Sequence, residues 1–472
     1  MKKIAAILLL AAMLFVTACA QPIELMPFIN SGNANLEGVE INWLWHWGSR
    51  TTPSYKIGTP QYDALLDRIA EIEDELGCDI IANIPTGDEE LDDKREDLPA
   101  DREMLNMLLM SGSFKYDILF TNQDSEDFKM NLYYPMTHLS SYIDWTDAEK
   151  YGHRGLLEAG MYNGVPYMVY PMNWPGFDGV ELCVAAYNRD LFKQYQLTDP
   201  QEFYEQEIWT YDTFVNEFLA KCEIGASGNA GTEIYAFQTD EPDFYQCLIA
   251  SNNVQFVEKA SDGTLIANPY PQSFVNAISW AQGIIRDYGD IILYDSDTYE
   301  NVEFCKGEVF MAWAPTNAVT TGSIAYNELS VFDSGVMPLP SGPDAVYGEW
   351  GQCIQDLMGF CIPVTSVNAE AAAKVISALC EPLPGYEEKS MFYDLTFANE
   401  KDIEIFMELG KHTRYDYTRV DDDLGRTIGE NFGTVATKPE KSLTEAMEQY
   451  RSQMETLIEE WILPNYETVH GE

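Results

Sequence analysis

From Val39 to Trp45 the odd positions Val39, Ile41, Trp43 and Trp45 are apolar, the period of two that marks a strand. Tyr62, Leu65, Leu66, Ile69, Ile72 and Leu76 then recur at helical spacing. Thr59 stands ahead of Pro60 as a cap with proline in the first turn, and Gly77 ends the run. Asp79 to Ile84 reads as a second strand, Arg102 to Met110 as a second helix, and Tyr116 to Phe120 as a third strand. Strands alternating with helices predict an α/β lobe built on a parallel sheet. Ligands of such sheets sit beyond the carboxyl ends of the strands, which selects His46 to Arg50 and Thr121 to Ser125 as candidate site segments.

After Tyr162 the pattern changes. Asn163-Gly164, set between short apolar runs, is a hairpin turn signal. Leu182 to Tyr187 is a strand leading into a helix at Asn188 to Phe192, and Thr210 is placed to cap a further helix. Helical periodicity governs Phe274 to Ile285, Ala369 to Leu379 and Leu443 to Trp461. No internal repeat is visible. At 472 residues the chain exceeds what one core usually supports, so two lobes are expected.

The N-terminus carries a different message. Lys2 and Lys3 precede an almost unbroken apolar stretch from Ile4 to Val16, shorter than the roughly 20 residues a spanning helix needs. Val16-Thr17-Ala18-Cys19 resembles the lipobox of bacterial lipoproteins. That resemblance implies a signal peptide over residues 1–18, lipidation at Cys19, and anchorage to the outer face of the cytoplasmic membrane by acyl chains in the lipid bilayer. Residues 19–38, with Pro22, Pro27 and Gly32, read as a tether. Ordinary secretion with an incidental cysteine is the alternative.

There are 28 basic and 77 acidic residues, and losing Lys2 and Lys3 takes the net charge from −49 to −51. Such a surface repels phosphate backbones, so nucleic acid is excluded as a partner. A neutral ligand is indifferent to this field, whereas a cationic one is drawn in. Eight cysteines follow Cys19 and none forms Cys-x-x-Cys. Several lie in apolar runs, which points to reduced, buried thiols, with Cys353 and Cys361 the pair to expect if a disulfide forms.

A set of short signatures in fixed order resembles the extracellular solute-binding proteins of carbohydrate ABC importers, the large maltodextrin-binding type. They are Tyr116-Asp117-Ile118-Leu119, Leu139-Ser140-Ser141-Tyr142-Ile143, Asn163-Gly164-Val165-Pro166-Tyr167, Tyr187-Asn188-Arg189-Asp190-Leu191-Phe192 and Trp209-Thr210-Tyr211-Asp212. Phe304 to Met311, Val336 to Pro343 and Ile362 to Ala373 complete the series, and Gly385 to Glu472 matches less clearly. The resemblance implies an α/β, two-lobed periplasmic-binding-protein-like (type II) fold with a hinge and an interlobe cleft. It further implies capture of a sugar or oligosaccharide, delivery to ABC permease subunits in the membrane, a monomer, no cofactor and no catalysis. The expected division is a first lobe from residues 39–150 and about 305–345, and a second, more helical lobe from 151–304 and about 346–472.

Sugars present C–H faces to aromatic rings and hydroxyls to carboxylates and amides, so candidates combine both on loops at strand ends. Trp43 and Trp45 lie on one strand face and read as core, while Trp47 follows the strand end and is a ligand candidate. Asn122 and Asp124 follow the third strand, with helix capping the alternative for Asp124. Trp174 sits between Pro171 and Pro175, with Asp178 behind it. Trp313, Glu349 and Trp350 complete the set, each tryptophan being otherwise an interface packing residue.

Other chemistries lack their signatures. Gly225-Ala226-Ser227-Gly228-Asn229 fails Gly-x-Ser-x-Gly, the five histidines form no metal motif, and there is no Walker loop. Asp421-Asp422-Asp423 is a solvated acidic turn rather than a calcium loop. A binding protein for a cationic solute, a polyamine or basic peptide, is the first alternative. A surface glycoside hydrolase is the second, and a sensor lobe without transport the third.

Overall fold

The local signals of the first part of the chain become elements close to where the pattern puts them. The structure is a computed structural model that describes residues 36–46, 57–84, 102–122, 125–174, 180–222, 234–294, 301–319, 329–348, 351–387, 397, 400–415, 417 and 423–470. The signal segment, Cys19 and the tether up to residue 35 lie outside the described residues.

Fourteen strands are described: β1 Glu40–His46, β2 Asp79–Asn83, β3 Ile118–Asn122, β4 Met161–Tyr162, β5 Val165–Pro166, β6 Val180–Asn188 and β7 Tyr235–Thr239, then β8 Val257–Lys259, β9 Leu265–Ala267, β10 Ile292–Tyr294, β11 Val309–Pro315, β12 Ser334–Met337, β13 Gln352–Cys361 and β14 Thr413–Tyr415. The helices used below are α1 Pro60–Leu76, α2 Arg102–Met110, α3 Ser125–Lys129, α4 Arg154–Ala159, α5 Glu241–Ser251, α6 Gln272–Tyr288, α7 Ala369–Leu379, α8 Glu400–Leu409 and α9 Asp423–Thr437.

Helix α1 begins and ends for the reasons its sequence states. The Thr59 hydroxyl accepts from the Tyr62 amide, Pro60 occupies the first turn, and Gly77 adopts φ 70°, which closes the helix at no Cβ penalty. In the β4–β5 hairpin Asn163 and Gly164 both have positive φ, 53° and 73°, the turn whose twist matches paired strands. Strand β3 starts two residues later than its apolar pattern suggests. Asp117 is withdrawn from the strand because its carboxylate accepts from the Asn42 amide and the Ser366 hydroxyl. The C-terminal helical run breaks near Tyr450 into Leu443–Gln449 and Arg451–Leu457 and winds wider over Ile458–Ile462.

One ten-stranded sheet runs through both halves in the order β10-β7-β11-β6-β13-β3-β1-β2, with β12 also on β6 and β14 also on β13. β1 pairs in parallel with β2 and β3, and β7 in parallel with β10 and β11. β6 and β13 are antiparallel to each other and join the two parallel sets. The first half buries Trp43, Trp45, Phe120, Trp174 and Phe360 with Leu65, Ile72 and the apolar face of α7. The second half buries Trp209, Phe214, Phe237, Phe244, Phe274, Trp313 and Phe432. A third cluster, with Leu119, Tyr133, Leu182, Val184, Ala312 and Ile354, runs across the middle.

The chain divides differently from the expected lobes. β11 and β12 pair with β6 and belong to the second half, not the first. Helix α7 lies on α1 in the first half, and the first half's core reaches to Trp174. Periodicity assigns a segment its element but not its neighbour, and here the chain crosses at β6 and returns at β13, both later than the expected boundaries. Among the described residues no helix is long and apolar enough to cross a membrane.

Candidate functional site

Register decides where the two halves face each other. Along β13, Cys361 pairs Leu119 and Met358 pairs Asn122, so β3 runs toward the second half and ends at Asn122. Along β6, Tyr187 pairs Met311 and Cys183 pairs Pro315, so β11 runs toward the first half and ends at Pro315. The carboxyl ends of the two parallel sets therefore point at each other across β6 and β13. With Ile354 opposite Leu182, the two ends are separated by about four residues of crossing strand, roughly 14 Å. That is the width of a groove for a small molecule, placed where α/β sheets hold ligands.

On the first-half rim stand His46, Asn83 and Asn122, the last residues of β1, β2 and β3. The end of β3 is pinned by Arg102, whose guanidinium donates to Thr121 Oγ1 and to the Asn122 carbonyl, each at 2.9 Å. The same guanidinium lies 3.4 Å from the buried Asp127 carboxylate on α3, which accepts from the Tyr133 hydroxyl at 2.7 Å. Burial, together with the Asp127 charge, pushes the Tyr133 hydroxyl well above its ordinary pKa, so it stays a donor. This chain of bonds holds a strand end rigid beside the groove.

The second-half rim is made otherwise. β7 ends at the buried Thr239, and Asp240 caps α5 by accepting from the Asp243 amide at 2.7 Å. Beyond β11, the Thr316 hydroxyl donates to the Leu182 carbonyl at 2.7 Å, tying that end to the crossing strand. Arg102, Asp240 and Thr316 were not singled out by pattern. For Asp240 a signal existed, since Asp-Glu-Pro directly after a strand is a helix start.

Of the sequence candidates, Asn122 lies on the rim and is half-buried. Trp47, Asp124, Asp178, Glu349 and Trp350 lie outside the described residues. Trp174 and Trp313 are corrected: both are core side chains. Trp174 is 2% exposed, is surrounded by Trp43, Trp45, Phe120 and Phe360 at ring-centre distances of 5.4–6.3 Å, and donates its Nε1 to the Leu379 carbonyl at 2.6 Å. Trp313 is fully buried among Phe214, Phe237, Phe244 and Trp280. Neither ring has a face left for a sugar. The flanking prolines of Trp174 keep the backbone irregular, but they do not keep the indole out of the core. Trp43 and Trp45 are buried as their strand face suggests.

The cysteines also differ from expectation in one respect. No disulfide forms among the eight described cysteines, all of which are buried. Cys353 and Cys361 lie on the same strand, eight residues and roughly 27 Å apart, beyond any disulfide.

No protein-family model matches the chain, and no curated protein matches it. Solved structures do resemble it in fold. The sugar-binding protein MalE of Xanthomonas citri is 13% identical, with 89% of this chain and 98% of that chain covered and a TM-score of 0.57. UgpB of Mycobacterium tuberculosis, in complex with glycerophosphocholine, is 15% identical over 89% of this chain and 98% of its own, with a TM-score of 0.56. An ABC transporter solute-binding protein of Thermotoga lettingae, bound with α-D-tagatose, is 15% identical over 88% of this chain and 100% of its own, with a TM-score of 0.52. At these identities the likeness is one of fold, and it is to the two-lobed architecture of ABC solute-binding proteins over nearly the whole body of the chain.

Proposed function

We propose that this chain is an extracytoplasmic receptor that captures a neutral sugar or oligosaccharide between its halves and delivers it to an ABC permease. The facing carboxyl ends of β3 and β11 across the crossing strands carry this reading. Similarity in fold to sugar-binding proteins supports it. Acylation of Cys19 would hold the body at the outer membrane face, where a captured solute meets its permease. The protein acts by binding, without catalysis. Trp47, Trp350, Asn122, Asp124, Asp178 and Glu349 are proposed as ligand contacts, the aromatics stacking on ring faces and the polar groups orienting hydroxyls.

The acidic excess supports a second reading, a cationic solute. Thermal melts and calorimetric titration with mono- and oligosaccharides test the first. A ligand at one hundred times its Kd stabilises the fold by about 2.7 kcal/mol. Melting temperatures unmoved by every sugar, in protein that unfolds cooperatively, would sink the proposal. Binding of a polyamine or basic peptide that collapses with added salt would favour the second reading, since a neutral ligand is nearly insensitive to screening.

A further inference from the structure

Three cysteines from separate elements meet inside the second half: Cys183 on β6, Cys247 on α5 and Cys353 near the start of β13. Their Sγ atoms all lie within 4.8 Å of one another, and each residue is fully buried. A single buried thiol is ordinary core, as Cys222 and Cys380 are. Three that converge on one point from the two crossing strands and a helix form a donor set. A cavity of about 320 Å³, lined by Gln246, Glu158, His412 and Arg414, has Cys353 in its wall, so the cluster lies directly behind that cavity. Gln246 Oε1, on the residue beside Cys247, is buried and has no hydrogen-bond partner among the described residues.

We propose that Cys183, Cys247 and Cys353 form a thiolate site for one soft d10 cation, Cu(I) or Zn(II). Thiolate donors select these ions over hard cations. Metal–sulfur bonds of about 2.3 Å place three sulfurs around one ion about 4 Å apart, so the thiols need to close by no more than about 1 Å. Binding breaks three S–H bonds, forms three metal–sulfur bonds and releases three protons to water, and no electron is transferred. Burial pushes the Cys183 and Cys247 thiols up, and a bound ion's charge is what would stabilise the thiolates. Cu(I) is satisfied by the three sulfurs, whereas Zn(II) takes a water from the cavity as fourth ligand.

Anaerobic titration of the reduced full chain with Cd(II) alone, read in the ultraviolet sulfur-to-cadmium charge-transfer band, tests the site. A single equivalent is expected to bind. Cys247→Ser is expected to weaken binding roughly tenfold or more, and Cys222→Ser to leave it unchanged. No band in folded wild-type protein, or equal affinity in Cys247→Ser and wild type, overturns the proposal. So does a native mass lighter by two hydrogens that maps to a disulfide within the trio. If Cys247→Ser fails to fold, X-ray absorption of the wild-type complex decides: three sulfur neighbours support the site and fewer overturn it.

Discussion

The two rims of the groove solve one problem with different means. On the first-half rim an ion pair and its hydrogen bonds, Arg102 to Thr121, Asn122 and Asp127, lock the end of β3 from behind. On the second-half rim the strand end passes straight into a capped helix, with Asp240 serving both as the residue after β7 and as the cap of α5. A buried carboxylate paired with arginine is stiff and costly to break, while a cap is local and worth about 1 kcal/mol. The difference teaches that rigidity is concentrated on the side where β1, β2 and β3 end. Removing the Asp240 cap should cost less in stability than removing the Asp127 carboxylate.

The comparison can be broken or sharpened in four ways. Trp174→Ala should remove about 4 kcal/mol of stability in urea unfolding, because it empties the centre of the first-half aromatic core. Unchanged stability with lost sugar binding would return Trp174 to the groove. Asp127→Ala should cost about 3 kcal/mol, leaving Arg102 and Tyr133 without their shared carboxylate. A cost below that of the helix cap would erase the asymmetry between the rims.

Alkaline titration probes the buried thiols of both halves together. Burial pushes the Cys183, Cys222, Cys247, Cys361 and Cys380 thiols up, and Cys78 to about 11. As pH rises past the ordinary thiol value of 9.0, the unfolded chain sheds protons that the native state keeps, so stability falls. Each fully buried thiol contributes about 1.4 kcal/mol of that loss per pH unit until its own folded pKa is reached. Denaturant midpoints from pH 8 to 10.5, followed by circular dichroism, check the slope, and a flat profile contradicts burial of the protonated thiols. Asp240→Ala, the smallest effect, should cost about 1 kcal/mol and leave the first-half rim unaltered in hydrogen exchange.

Much of the fold was legible in the chain because its signals are local. Thr59, Pro60 and Gly77 mark a helix through caps that need no partner elsewhere, and Asn163-Gly164 marks a turn through backbone sterics alone. Of the segments expected beyond the strand ends, His46 to Arg50 and Thr121 to Ser125, the described residues His46, Thr121 and Asn122 are the last residues of β1 and β3, while 47–50 and 123–124 lie outside the described residues. Trp174 and Trp313 were misread because stacking on a sugar and packing in a core make the same demand on an indole. Which applies depends on what surrounds the ring. Arg102 gave no signal, since its partner Asp127 is distant in sequence and lies beyond β3, so the two meet only in the folded chain.

By itself the sequence determined the elements, their alternation, and the acidic surface, because caps, turns and periodicity act within a few residues. Only the tertiary structure decided which half β11 and α7 join, which indoles are sealed, and that Cys353 meets Cys183 and Cys247 rather than Cys361. Those outcomes depend on strand register and on a chain that crosses between halves. Register is a long-range choice, made by whichever apolar faces bury together.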